Sequence, residues 1–392
     1  MFKHGKKNVV SFLLVFITFC FASPVHAQQD HNQWVDDQMQ QDTFSDISGY
    51  WNEVVYNYGE YIPDISNKSL MDFVKADSSL SIKGWFQGLL KYLFHELILN
   101  GKLLGSLILL TLFAVILQTL QNAFESKAVN TVAYAVVYLV LITIALSSFR
   151  LGASYASDAI ESMSNFMIAL IPLILSVMAS FGSITSIAFF HPIIMFLVHL
   201  SGVLISKIVL PLIFLSALLY IVSSLSENYK ATQLANLLKN AALTILGLFL
   251  TVFIGVISVQ GAQTAIQDGI AIKTAKFVTG NFVPVIGRMF TDAADTVLSA
   301  SLLLKNTIGL VGVVTIIGIA VFPAIKVFAI AIIYKLAAAI LQPVGGGPVI
   351  KTLDLIGKHI LYIFAALLVV TMMFFFAIVI LVVASNLTLM VR

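Results

Sequence analysis

Apolar residues run along this chain in long, nearly unbroken blocks. Alternation over about ten residues would mark the strands of an outer-membrane barrel. Unbroken runs of about 20 residues instead predict membrane-spanning helices. Eight segments are clear: 103–120, 129–149, 166–181, 187–206, 208–225, 241–259, 307–325 and 359–384. The pair 166–181 and 187–206 could also form a tight hairpin, so the pattern allows seven to nine spans. A further apolar run, 327–341, is interrupted by Lys335 and reads as a re-entrant or interfacial helix. Between the runs, the stretch with Arg150, Asp158 and Glu161 reads as an external loop. The polar stretch 226–240 reads as a cytoplasmic one, with weak positive-inside support.

Ahead of the spans the pattern changes. Residues 28–48 are rich in Gln and Asp and read as disordered or loosely ordered. From Gly49, the residues Tyr50, Trp51, Val54, Val55 and Tyr58 recur at helical spacing. Pro63-Asp64 marks a turn, and Leu70, Phe73 and Val74 continue a second short helix. Trp85, Phe86, Tyr92 and Phe94 lead into the first span, where aromatic rings suit the headgroup region.

The start of the chain has the pattern of a processing segment. Lys3, Lys6 and Lys7 precede an apolar stretch at 9–21, and Val25-His26-Ala27 supplies small residues for cleavage between Ala27 and Gln28. The expected fold class is therefore an all-α polytopic helical membrane protein. It has about eight transmembrane helices, a cleaved signal peptide and a small external N-terminal helical head. The domains are a signal peptide at 1–27, an acidic extracytoplasmic head at 28–101 and a polytopic transmembrane domain at 102–392.

Composition supports this class. The chain is 59% hydrophobic and 10% charged, against about 25% charged for soluble proteins. Charge is also divided: residues 28–101 carry eleven acidic groups and four lysines, whereas 102–392 carry fifteen basic groups and eight acidic ones. Cys20 is the only cysteine and lies in the signal segment, so the mature chain has no thiol or disulfide chemistry.

One polar stretch stands out, at 281–302. Phe282, Val285, Ile286, Met289, Phe290, Ala293, Val297 and Leu298 recur at spacings of three and four. Arg288, Asp292, Asp295 and Ser299 recur on the opposite side, which predicts an amphipathic helix with a charged stripe. Arg288 and Asp292 are one turn apart and can pair. A charged side chain at the bilayer centre costs about 2.5–3.5 kcal/mol on insertion scales. The stripe must therefore meet water, a polar cavity or another protein. It is either an interfacial helix face in solvent, or it lines a pathway or subunit contact.

Other candidates carry less. His95-Glu96 starts like a zinc-protease helix, but Leu99 stands where the second histidine belongs. His191 and His199 have no converging cysteine or carboxylate nearby in sequence. In "GGGPVIKT", Ile350 precedes Lys351, so the Gly-Lys step of a phosphate loop is missing. Gly345, Gly346, Gly347 and Pro348 read instead as a flexible turn that ends one helix and blocks its continuation. Lys326 and Lys335 interrupt a long apolar region. They either snorkel to the interface or meet an acidic partner inside the bundle. No catalytic constellation, metal site or cofactor motif is present, and no nucleic-acid partner is expected.

Several long stretches resemble the stage III sporulation protein AE family of endospore-forming bacteria. They include "LFHELILNGKLLGSLILLTLFAVILQTLQNAF" (93–124), "AFFHP" (188–192), "TQLANLLKN" (232–240), "GVISVQGA" (255–262), "TAKFVTGNFVPVIGRMFTDAADTVLSASLLLKN" (274–306) and "YKLAAAILQPVGGGPV" (334–349). The resemblance implies a polytopic subunit in the mother-cell (outer forespore) membrane. Its partners would be the other subunits of a sporulation channel or feeding apparatus, among them a secretion-type ATPase and ring-forming subunits. Through these it would indirectly meet a forespore membrane protein. The implied role is permease-like, sustaining forespore gene expression and development after engulfment, with no catalytic residues. The alternative is an autonomous secondary transporter of a small solute, with Pro172, Pro211 and Pro323 breaking helices around a midplane site.

Overall fold

The computed structural model describes residues 42–66, 68–75, 81–123, 127–179, 184–225, 231–282, 286–344 and 347–390. The signal segment with Ala27 and Gln28 lies outside the described residues. Ten α-helices follow in order. They are α1 (Asp42–Tyr58), α2 (Leu70–Lys75), α3 (Ile82–Leu99), α4 (Gly101–Ala123), α5 (Lys127–Ala179), α6 (Ile184–Leu204), α7 (Leu210–Leu225), α8 (Thr232–Phe282), α9 (Ile286–Leu341) and α10 (Pro348–Met390). The described residues contain no strand.

Among the described residues, six helical stretches are long and apolar enough to cross a membrane: Gly101–Thr119, Ala135–Ser176, His191–Ser224, Thr232–Gly261, Thr307–Val344 and Pro348–Val383. Two of these stretches each take in parts of two segments read from hydropathy: Ala135–Ser176 overlaps 129–149 and 166–181, and His191–Ser224 overlaps 187–206 and 208–225. The stretch around Arg150, Asp158 and Glu161 is helix, not loop. Ser154, Asp158, Glu161 and Asn165 are exposed at helical spacing, while Ala156, Ala159, Ile160 and Met163 are buried between them. Its polar residues are one face of α5. The run 327–341 is not a separate helix that turns back, because it continues α9 without a break. The final span opens at Pro348 rather than at residue 359. Helix α1 starts at Asp42, inside the segment expected to be loosely ordered.

Helices α6 and α7 form one rod joined by a π turn at Ile205–Val209. Pro211 explains the turn. It has no N–H for the carbonyl four residues back, and its ring crowds that carbonyl. The wider turn absorbs the mismatch, with Leu210 N–H donating to the Ile205 carbonyl.

The long helices pack up and down. Lys335 meets Asp354 and Phe328 meets Phe364, so α9 and α10 are antiparallel. Tyr334 donates to Ser148 and Lys326 lies over Tyr155, so α5 and α9 are also antiparallel. Tyr138 bonds Thr352 and Thr371 donates to Met163, so α5 and α10 run the same way. One end of the bundle, the connection-bearing end, therefore gathers the last turns of α4 and α7 and the first turns of α10: Gln118 lies beside Gly347, and Tyr138, Ser224 and Thr352 share hydrogen bonds. Some hydroxyls inside the bundle are satisfied locally: Ser201, Thr315 and Thr371 donate to carbonyls one turn back, at 2.6, 2.8 and 2.8 Å.

The head folds around Trp51. The indole is fully buried, donates to the Lys68 carbonyl at 3.0 Å and lies 4.8 Å from the Phe73 ring. Ser69 and Asp72 cap the start of α2 reciprocally. Ser81 caps α3 by accepting from Gly84 N–H, and its own N–H donates to Asp64. The head also shares its core with the bundle. Tyr50 packs edge-on to Phe166 of α5, and Tyr58 stacks on Phe322 of α9 at 3.9 Å. These contacts fall about three-quarters of the way along α5 and about two-thirds of the way along α9, so the head sits beside the bundle away from its connection-bearing end. From there α4 runs to the connection-bearing end, where Gln118 lies against Gly347.

Candidate functional site

Charged and polar side chains gather at two levels of an otherwise apolar bundle. The first is where the head docks on α5 and α9. Glu53, Asn57, Asp158, Ser162 and Lys326 surround a cavity of about 160 Å³. The Lys326 ammonium lies 5.3 Å from the Tyr155 ring, a cation–π contact. Glu96, dismissed in the sequence as half of a metal motif, is buried here. Asn100 donates to its carboxylate at 3.4 Å. Burial, with help from Glu53 and Glu96, pushes the Tyr58 hydroxyl up to about 12. Burial and then Glu96 raise Tyr92 further. Both phenols therefore stay neutral across the physiological range. On the neighbouring flank, Glu161, His199, Ser206 and Lys207 line a second cavity of about 260 Å³ beside the π turn. Such turns often mark functional positions in helices.

The second level is the connection-bearing end. On α9, the positions 332, 335, 336, 339 and 342 share a face, and on α10 so do 351, 354, 355, 358 and 362. These faces bound a groove of about 1080 Å³ closed by Tyr220 and Lys239. Gly357 permits the approach: a Cβ there would lie 3.1 Å from Lys335 Cγ and 3.3 Å from the Ala331 carbonyl oxygen. Asp354 sits between two lysines, 2.5 Å from Lys335 and 2.8 Å from Lys358. His359 is buried behind the groove and bonds Ser216 at 3.2 Å.

The Lys335–Asp354 pair is about one-third exposed on each side. Exposure discounts its value to well below that of a buried pair. Asp354→Ala is expected to lower stability in detergent by about 1–2 kcal/mol, because it strands Lys335 among apolar side chains. Lys335→Met with Asp354→Leu should recover most of that loss, read as the thermal midpoint of the purified protein.

The remaining sequence candidates fall as follows. Arg288, Asp292, Asp295 and Ser299 lie on the first turns of α9, but their side chains are outside the described residues. The expected helix over 281–302 is divided: α8 ends at Phe282 and α9 begins at Ile286, with Pro284 of the sequence between them. Gly345 and Gly346 are outside the described residues. Pro348 does not block a helix but opens α10, where its missing N–H costs nothing. Among the described residues, no group of three or more His, Cys, Asp or Glu could hold a metal ion.

Long apolar helices that carry few ionised groups define a multi-pass α-helical membrane protein. Residues 65–385 match the family described as "Stage III sporulation protein AE". The "Stage III sporulation protein AE" of Bacillus subtilis (strain 168) is 56% identical over 346 residues, which is 88% of this chain and 87% of that one. The chain belongs to the stage III sporulation protein AE family. No solved structure matches it.

Proposed function

We propose that this protein is the membrane-embedded, permease-like subunit of a channel assembly linking mother cell and forespore, sitting in the mother-cell membrane. Family membership across almost the whole membrane region is the observation that carries this reading. The protein serves as a non-catalytic membrane component, and its partners are the ATPase-like and ring-forming subunits of the same assembly. The acidic head faces the space between the two cells once the signal segment is removed after Ala27. The connection-bearing end, rich in lysine, faces the mother-cell cytoplasm, as the bias of basic residues toward cytoplasmic loops favours.

Expression of this chain in a Bacillus subtilis strain lacking its own 56%-identical protein tests the reading. Spore yield is expected to return. A stably inserted chain that leaves the block in place overturns the assignment. Solute uptake by the purified protein alone in liposomes would favour an autonomous transporter instead.

Within that role, the stripe of Arg288, Asp292, Asp295 and Ser299 lines a polar route or holds a neighbouring subunit. The motive is the cost of ionised groups in hydrocarbon. Arg288→Ala and Asp292→Ala are each expected to cut spore yield at least ten-fold while protein level and membrane insertion stay normal. Undiminished yield from both would leave the stripe as a solvated face.

A further inference from the structure

The groove between α9 and α10 has an excess of positive charge that the fold does not use. Lys239, Lys335, Lys351 and Lys358 converge on it from three helices, and Asp354 is the single carboxylate among its lining residues. That carboxylate is already shared by Lys335 and Lys358. Among the described residues, Lys239 is given the Asn236 amide oxygen at 3.2 Å, and Lys351 is exposed with no carboxylate against it. Ammonium groups that line one groove raise each other's energy unless an anion joins them. A walled groove strengthens the effect by focusing the field.

We infer that this groove binds a phosphate-bearing anion. Charge defines the headgroup, and the apolar wall defines the rest. Leu336 projects from the same α9 face as Lys335 and is substantially exposed, and Ile340 one turn on is more so. An amphiphile with its phosphate among the lysines and its acyl chains along this wall satisfies both surfaces. Basic pockets between spanning helices at a membrane face take anionic lipid headgroups in this way. A free phosphate or pyrophosphate offers the same recognition chemistry without the chains. The inference does not depend on the role proposed for the Arg288–Ser299 stripe.

The test uses the full-length protein purified in a neutral detergent. Cardiolipin, phosphatidylglycerol and phosphatidylcholine are titrated separately and bound lipid is counted by native mass spectrometry. Inorganic phosphate is titrated in a lipid-free arm and followed by the thermal midpoint. Cardiolipin is expected to be retained well above phosphatidylcholine. A lysine near such a headgroup contributes about 1 kcal/mol, or roughly five-fold in affinity. Lys239→Gln with Lys351→Gln should therefore raise the half-saturating cardiolipin concentration roughly 25-fold. The corresponding Lys→Arg pair should bind nearly as the parent does. Asp292→Ala should leave retention unchanged, which separates this site from the stripe. Phosphate that stabilises the parent but not the Gln pair would support the anion site and name a soluble source. Equal retention of cardiolipin by the parent and the Gln pair, with a flat phosphate titration, would overturn the inference.

Discussion

Gly88→Ala is expected to unseat the head from the bundle. A methyl at Gly88 would lie 1.7 Å from the Tyr61 carbonyl oxygen and 2.8 Å from its carbon. Overpacking against a movable side chain costs about 1–3 kcal/mol. Here the obstacle is backbone, within the 3₁₀ turn Gly59–Tyr61, and it cannot rotate away. The cost should sit at or above the top of that range. Two elements must part, and the weaker attachment yields. The α1–α2 unit would then lose its seat on α3, and Tyr58 its stacking on Phe322. Limited proteolysis of the membrane-inserted protein should show cleavage between residues 59 and 81 that the parent resists. Membrane insertion should be unaffected, since the apolar helices from α4 onward are untouched. A protease pattern like the parent's would show that α3 can slide to make room.

Trp51→Ala should loosen the same region by a different route. The indole is fully buried, fills the space against Phe73 and ties α1 to the Lys68 carbonyl. Truncating a buried aromatic costs about 3–5 kcal/mol. The carbonyl also loses its donor, which adds to the cost if it stays dry. Trp51→Phe should recover the packing but not the hydrogen bond, and so fall between the two. Hydrogen exchange in α1 and α2 measures this directly: both should exchange far faster in the alanine variant, while the interior of α10 stays protected. Equal exchange in α1 for parent and variant would place the head's stability elsewhere, in the Tyr50 and Tyr58 contacts.

Much of the helical character was legible, because long apolar runs leave few alternatives to helix. The joins between helices were not. Ser154, Asp158, Glu161 and Asn165 depress the local hydropathy just as a loop would, and only their spacing against Ala156, Ile160 and Met163 marks a helix face. The π turn was hidden because Pro211 permits several kinds of break. Partnership was the least visible property. Lys335 finds Asp354 across 19 positions of sequence, and Tyr58 finds Phe322 across most of the chain. No local pattern carries such pairs. Lys351 is instructive in a different way. It entered the sequence reading through a phosphate-loop motif with the wrong spacing, yet it lines the basic groove by virtue of its helix face. Glu96 was set aside for lacking a second histidine, and its surroundings of tyrosines come from three separate helices.

The length of α9 has a consequence for how the protein lives in a cell. Leu310 and Ile340 are both well exposed apolar side chains near opposite limits of its apolar stretch. At 1.5 Å per residue they stand about 45 Å apart. The oily interior of a bilayer is about 30 Å deep, and a 40° lean stretches the accommodated length only to about 39 Å. Acyl chains cannot cloak both ends at once. The part of this greasy flank that lies beyond the acyl chains favours a sheath of other polypeptide. The protein's survival in the cell should rise and fall with the abundance of whatever completes the sheath.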